Sequence, residues 1–225
     1  MKYIKYLYFL SIAALILGGT LFIKAHRHES TVKIIEDLRS KSIIMYSSNS
    51  RRLYIDSLSG EVKDMEKLCI EGSSILKKSG LDCSFLKTQD GNVDPYALSG
   101  ASLDKNLNKN NKYILIDISR NQSRHGAKYS IGKSNCAPIS IVLSKKSKSY
   151  EESLLIAGGL KSIIDKKYDT LPLQIVHSDF GEYNQSKGYI GMLLEIGDAA
   201  NTYDEAMESL KIFCEALKEV VGVKE

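Results

Sequence analysis

A chain of 225 residues is long enough to bury one sizeable core and carry an appendage, which argues against several independent domains. Its formal net charge of +4 comes from 31 Lys and Arg against 27 Asp and Glu spread along the sequence, so the concentrated basic footprint of a nucleic-acid binder is excluded. Cys69, Cys83, Cys136 and Cys214 include no pair at the two-residue gap of a zinc knuckle; Cys69 and Cys214 fall on apolar helix faces, where buried free thiols are the expectation, while a location outside the cytoplasm would permit a disulfide that the sequence does not assign.

Ile4 to Ile23 is apolar apart from Lys5 and a few small polar residues. Such a run is about long enough to cross a hydrocarbon core of roughly 30 Å as one helix. It reads as an uncleaved signal anchor with the rest of the chain outside the cytoplasm. A cleaved signal peptide is the competing reading, with Gly18-Gly19-Thr20 as a poor cleavage site. Residues 1–28 therefore form a membrane anchor and its basic flank, which includes His26 and His28. Residues 29–41 form a polar linker, and residues 42–225 form the globular domain.

Within the domain, strand and helix patterns alternate. Ser42 to Ser47 reads as a buried strand, and Arg52 to Asp56 as a second extended piece. Glu61 to Lys78 reads as a helix with Val62, Met65, Leu68, Cys69, Ile75 and Leu76 inward and Gly80 as its stop. Cys83 to Leu86 is a strand. Asp94-Pro95 opens a helix, with Asp94 as N-cap. Tyr113 to Ser119 and Pro138 to Leu143 are strands, and Ser149 with Glu152 forms a capping box for a helix to Tyr168. Leu171 to Val176 and Tyr189 to Ile196 complete a sheet. The alternation predicts an α/β domain with a mainly parallel, twisted sheet flanked by helices.

The last strand carries Glu195 near its end. A carboxylate on so apolar a strand is costly unless it lies at the carboxyl edge, where α/β sheets are solvated and bind ligands. Thr202 and Glu205 then form a capping box. Met207, Leu210, Phe213, Cys214, Leu217 and Val221 give the final helix one apolar face.

Tyr183-Asn184-Gln185, the strand ending Leu194-Glu195-Ile196-Gly197, and Asn201-Thr202 before an acidic helix start resemble the C-terminal end of the stage II sporulation protein P family. The resemblance implies membrane-anchored, zinc-dependent N-acetylmuramoyl-L-alanine amidases acting on peptidoglycan. It also implies an amidase-like fold. The family's first strand ends in His-x-His with a glutamate soon after; these positions fall here on Ser47, Asn49 and Arg52. Asp94-Pro95-Tyr96 with Ser99 and Ser102 resembles a further family segment. The family's Asp-Leu-His-Arg-Asp strand end is Asp117-Ile118-Ser119-Arg120-Asn121, with Ser119 in the histidine position.

A hydrolytic zinc site needs about three protein ligands and an open position for water. Neutral Ser and Asn are poor zinc ligands, and Arg52 adds a permanent positive charge. Only Glu195, the matched catalytic position, remains. The expectation is a non-hydrolytic relative with no cofactor, in which Asp117, Arg120, Tyr183, Asn184, Gln185 and Glu195 line a groove for peptidoglycan or a partner. The resemblance implies other stage II engulfment proteins as partners, including a lytic transglycosylase. Two alternatives stand beside it. One is an active amidase holding zinc through His125, His177 and Glu195; the other is a purely structural module tethered to the membrane.

Overall fold

A computed structural model describes residues 40–55, 60–89, 94–108, 110–188 and 190–221, within a compact unit spanning Leu38–Glu225. The expected anchor and most of the linker lie outside the described residues. Among the described residues no helix is long and apolar enough to cross a membrane.

Ten strands and four α-helices are described. They run β1 (Ser42–Tyr46), β2 (Tyr54–Ile55), β3 (Val62–Lys63), α1 (Met65–Lys78), β4 (Cys83–Phe85), α2 (Pro95–Asn106), β5 (Tyr113–Ser119), β6 (Tyr129–Ile131), β7 (Ser134–Cys136), β8 (Ile139–Ser144), α3 (Tyr150–Lys167), β9 (Leu173–Ser178), β10 (Ile190–Ile196) and α4 (Tyr203–Val220). A six-stranded sheet has the order β4-β1-β5-β10-β8-β9. Its neighbours pair in parallel except β10 and β8, which are antiparallel. The expected α/β domain with a mainly parallel sheet is thus present.

The central strands are buried because their side chains are apolar on both faces. In β5 every residue from Ile114 to Ser119 is buried, and in β10 every residue except Glu195. Leu103 of α2 packs with Ile44, Tyr46 and Leu115 on one face. On the other face α1 crowds β1 so closely that a Cβ at Gly72 would stand 2.8 Å from Met45 Sδ and 3.3 Å from Leu210 of α4. Helix α3 packs beside α4 and over β8, β9 and β10.

Helix α4 starts where its capping box predicts. Thr202 accepts from the Glu205 N–H, and the Glu205 carboxylate accepts from the Thr202 N–H. Leu210, Phe213, Cys214, Leu217 and Val221 are buried, and Met207 is half-buried. Asp94 caps α2 by accepting from the Tyr96 N–H at 2.9 Å. All four cysteines are buried free thiols.

Three local expectations change. Helix α1 begins at Met65 with Asp64 as its cap, and Val62 sits 59% exposed in the short β2–β3 ribbon. The Asp64 carboxylate, three residues after the expected start at Glu61, caps the helix there, because its Oδ1 satisfies the Lys67 N–H. Ser149 stands at the N-cap of α3 but makes no side-chain cap bond; its hydroxyl pairs with that of Ser147 instead. The β6–β7 hairpin was not expected. Gly132, at φ +60°, opens its two-residue turn.

Candidate functional site

The carboxyl ends of β1, β5 and β10 meet at one edge of the sheet. Glu195 and Ser119 are register partners on β10 and β5, and Tyr46 is the partner of Asp117 one strand further on. The segment after β1 folds back so that the Arg52 N–H donates to the Asn49 carbonyl. This brings the Arg52 guanidinium onto the strand ends. Its Nη1 donates to Ser119 Oγ at 3.0 Å and to the Arg120 carbonyl at 2.5 Å, and lies 3.8 Å from Glu195 Oε1. Both side chains of the ion pair are less than one fifth exposed. Glu195 Oε2 accepts from Asn121 Nδ2 at 3.3 Å.

Of the mapped positions, Arg52, Ser119 and Glu195 therefore meet at this edge. Ser119 and Ser47 are buried; the Ser47 carbonyl accepts from Thr88 Oγ1 and its hydroxyl from the Asn49 N–H. Arg120 is occupied by backbone acceptors and the Tyr54 ring. Its Nε donates to the Leu53 carbonyl, and its guanidinium lies 6.0 Å from the Tyr54 ring centroid. The Tyr54 hydroxyl in turn donates to the Ile196 carbonyl, and burial pushes it well above the ordinary phenol range.

Three of the expected groove residues are scaffold. Asp117 is fully buried, with Oδ1 accepting from the Ser48 N–H at 2.8 Å and Oδ2 from the Ser48 hydroxyl at 2.5 Å. Burial pushes its carboxyl up to about 7, against the lowering effect of those bonds and of Arg52. Ser48 also shares a hydrogen bond with Ser99, which accepts from Asn184 Nδ2; Asn184 is thus tied to α2 in a left-handed turn, at φ +58°. Gln185 is 2% exposed, and its carboxamide is bonded to the Ser144 N–H and the Val142 carbonyl of β8. A side chain used at both ends in this way has been committed to closing β8 onto the turn before β10. Tyr183 is half-buried, bonded to Ser178 and edge-on to Tyr96 at 5.3 Å.

The two histidines separate. His125 lines a cleft of about 240 Å³ together with Glu195, Asn121, Tyr129, Ser140 and Gln174. His177 pairs with Leu143, three residues along β8 from Ser140, the partner of Glu195. That register places it roughly 10 Å along the sheet and two strand spacings across from Glu195. Its ring Nδ1 is bonded to the Tyr150 hydroxyl at 2.7 Å. A single triad of His125, His177 and Glu195 is therefore not assembled.

Asp198 and Asn201 are the site residues that sequence reasoning missed. Asp198 accepts from Ser123 Oγ and from the N–H groups of His125, Gly126 and Ala200, and so shapes the loop over the cleft. Burial raises its pKa, but these donors outweigh it and leave the carboxyl below the ordinary range. Asn201 bonds the Ala127 carbonyl and Glu205. The signal was present as Gly197-Asp198 directly after β10. Gly197 has φ +62°, and a Cβ there would meet Asn201 and Ala137 within 3 Å.

Residues 40–218 match the family described as Stage II sporulation protein P (SpoIIP). Stage II sporulation protein P of Bacillus subtilis (strain 168) is 32% identical over 118 residues, which is 50% of this chain and 29% of that relative. The chain thus aligns with less than a third of the curated relative's length. Among solved structures, an N-acetylmuramoyl-L-alanine amidase from Clostridium difficile 630 superposes with a TM-score of 0.52 at 13% identity, covering 81% of this chain and 95% of that one. That likeness shows an amidase-like fold. With the family match spanning most of the domain, the chain belongs to the Stage II sporulation protein P family.

Proposed function

We propose that this family member is a membrane-anchored protein that engages peptidoglycan during sporulation without hydrolysing it. The observation that supports this reading is the meeting of Arg52, Ser119 and Glu195 at the sheet edge. The family resemblance puts zinc ligands at the positions held here by Ser47 or Asn49, Arg52 and Ser119. The residues present do not fit a zinc ion. Ser and Asn oxygens are poor donors to it, and a guanidinium already in contact with Ser119 repels a divalent cation. Among the described residues no three His, Cys, Asp or Glu side chains are placed to hold a metal. Glu195 without a metal-activated water is a weak agent against an unactivated amide.

The same edge suits binding. Glu195, Asn121, Tyr129, Gln174 and His125 around one cleft offer polar groups beside an aromatic face, the mixture that grips a sugar or a short peptide. In this reading Ile4 to Ile23 anchors the chain and the domain lies outside the cytoplasm. Other stage II engulfment proteins are its partners there.

The test is co-sedimentation of the detergent-solubilised full chain with dye-labelled sacculi, with zinc added. The reading expects the protein in the pellet and no dye released. Dye release that Glu195→Gln abolishes would show an active amidase. A chain that stays in the supernatant would show a structural module.

A further inference from the structure

The position of Arg52 has a further consequence, which rests on the peptidoglycan-binding reading. A single charged nitrogen, Nη1, reaches the end of β5 twice, through Ser119 Oγ and the Arg120 carbonyl, and faces the end of β10 through Glu195. Among the described residues, every side-chain hydrogen bond and ion pair found for Arg52 runs through Nη1. Nε is buried with no partner among them. A mostly buried guanidinium with an unsatisfied N–H is costly, and is tolerated only where an anion faces it. Glu195 is that anion, and Asn121 holds its second oxygen in place.

A metal ion at such an edge performs three tasks: it ties the strand ends together, it presents positive charge to a ligand oxygen, and it lowers the pKa of a bound water. A guanidinium is suited to the first two, because its planar fork carries several donors around one fixed charge. It cannot coordinate water as a Lewis acid. We propose that Arg52 is the built-in cation of this site: it joins β5 to β10 by pairing with Glu195, and its Nη2 edge holds a carbonyl oxygen of the ligand. The ligand class is a carbonyl-bearing muramoyl peptide, gripped at an amide that the site leaves intact. The cleft of about 240 Å³ on the far side of Glu195 offers room for a neighbouring residue or ring.

The experiment is a thermal double-mutant cycle with Arg52→Met, Glu195→Gln and the pair, combined with calorimetric titration of N-acetylmuramoyl-L-alanyl-D-isoglutamine. N-acetyl-L-alanyl-D-isoglutamine, which lacks the sugar, is titrated in parallel. The full solubilised chain is used throughout. Arg52→Met is expected to lower Tm by several degrees, because it strands Glu195 as an unpaired carboxylate, and adding Glu195→Gln is expected to recover part of the loss. Affinity for the muramoyl dipeptide is expected to fall about tenfold or more in Arg52→Met, measured below its Tm, as for loss of a charged hydrogen bond. The pair is not expected to restore it. Binding of the sugar-free dipeptide as well would place the grip on the peptide amide alone, and its loss would place it at the muramoyl linkage.

Additive Tm effects would overturn the closing role of Arg52. Wild-type affinity in folded Arg52→Met would overturn the ligand contact, as would a chain that binds sacculi but neither dipeptide. If the wild-type chain binds neither sacculi nor dipeptide, the peptidoglycan reading itself fails, while the Tm cycle still decides the closing role.

Discussion

Glu195 stands beside Ser119 across the parallel β10–β5 pair, and the Arg52 guanidinium contacts Ser119 while lying 3.8 Å from Glu195. Parallel register between two largely apolar strands, with Ser119 ending β5 and Glu195 near the end of β10, is what brings the two side chains to the same edge. The arrangement also explains why a carboxylate is tolerated near the end of a buried strand. Arg52 supplies a counter-charge and Asn121 a donor.

Asp117 makes stability depend on pH in an unusual direction for a carboxylate. Burial raises its folded-state pKa to about 7, above the unfolded value of 3.8. The folded state therefore binds the extra proton between those values. The stabilisation is fully present below the unfolded pKa and is lost as pH rises through about 7. Urea midpoints measured from pH 5 to pH 8.5 should fall in the wild-type chain, and Asp117→Asn should flatten that slope. An equal slope in both would contradict it.

Gln185→Ala should destabilise the domain by about 1–3 kcal/mol, because it leaves the Ser144 N–H and the Val142 carbonyl buried without their partner. Denaturant unfolding measures the loss. Sacculus binding by the folded protein should be unchanged, since the Gln185 amide is committed to β8. Lost binding at unchanged stability would return Gln185 to the groove.

Thr202→Ala should cost about 1 kcal/mol through loss of the N-cap of α4. Glu205→Ala should cost more, because the Glu205 carboxylate also accepts from Asn201 and pairs with Lys128 at 2.7 Å. Burial raises the Glu205 pKa, but those donors outweigh it and hold the carboxyl below its ordinary range. Its contribution is therefore present above the unfolded pKa and is lost as acid titrates it. Chemical unfolding of the two variants at pH 7 and pH 4 checks the order at the first and its narrowing at the second.

Much of this architecture is legible in the sequence because it rests on short-range patterns. The apolar runs of β5 and β10, the Thr202–Glu205 box and the Asp94-Pro95 start each carry their own signal. The convergence of Ser119 and Glu195 follows from strand order. What fails is what depends on tertiary partners. Nothing in Asp117-Ile118-Ser119 shows that Ser48 will cover the carboxylate and take it out of the groove. Nothing in Tyr183-Asn184-Gln185 shows that the amides will be spent on α2 and β8. The four-residue shift in the start of α1 arose because Glu61-Val62-Lys63 continues a helical apolar pattern, whereas Val62 pairs with Ile55 in a ribbon. Asp198 was invisible as a site residue because its role is to collect N–H groups from a loop more than seventy residues away.

Zinc stoichiometry of the full chain, purified without chelator and dialysed against excess zinc, tests the account most directly. Elemental analysis should find far less than one zinc per chain, and Tm should be the same with and without a chelator, since Arg52 already supplies the positive charge at the strand ends. About one zinc per chain, with a Tm that falls when the metal is stripped, would contradict it.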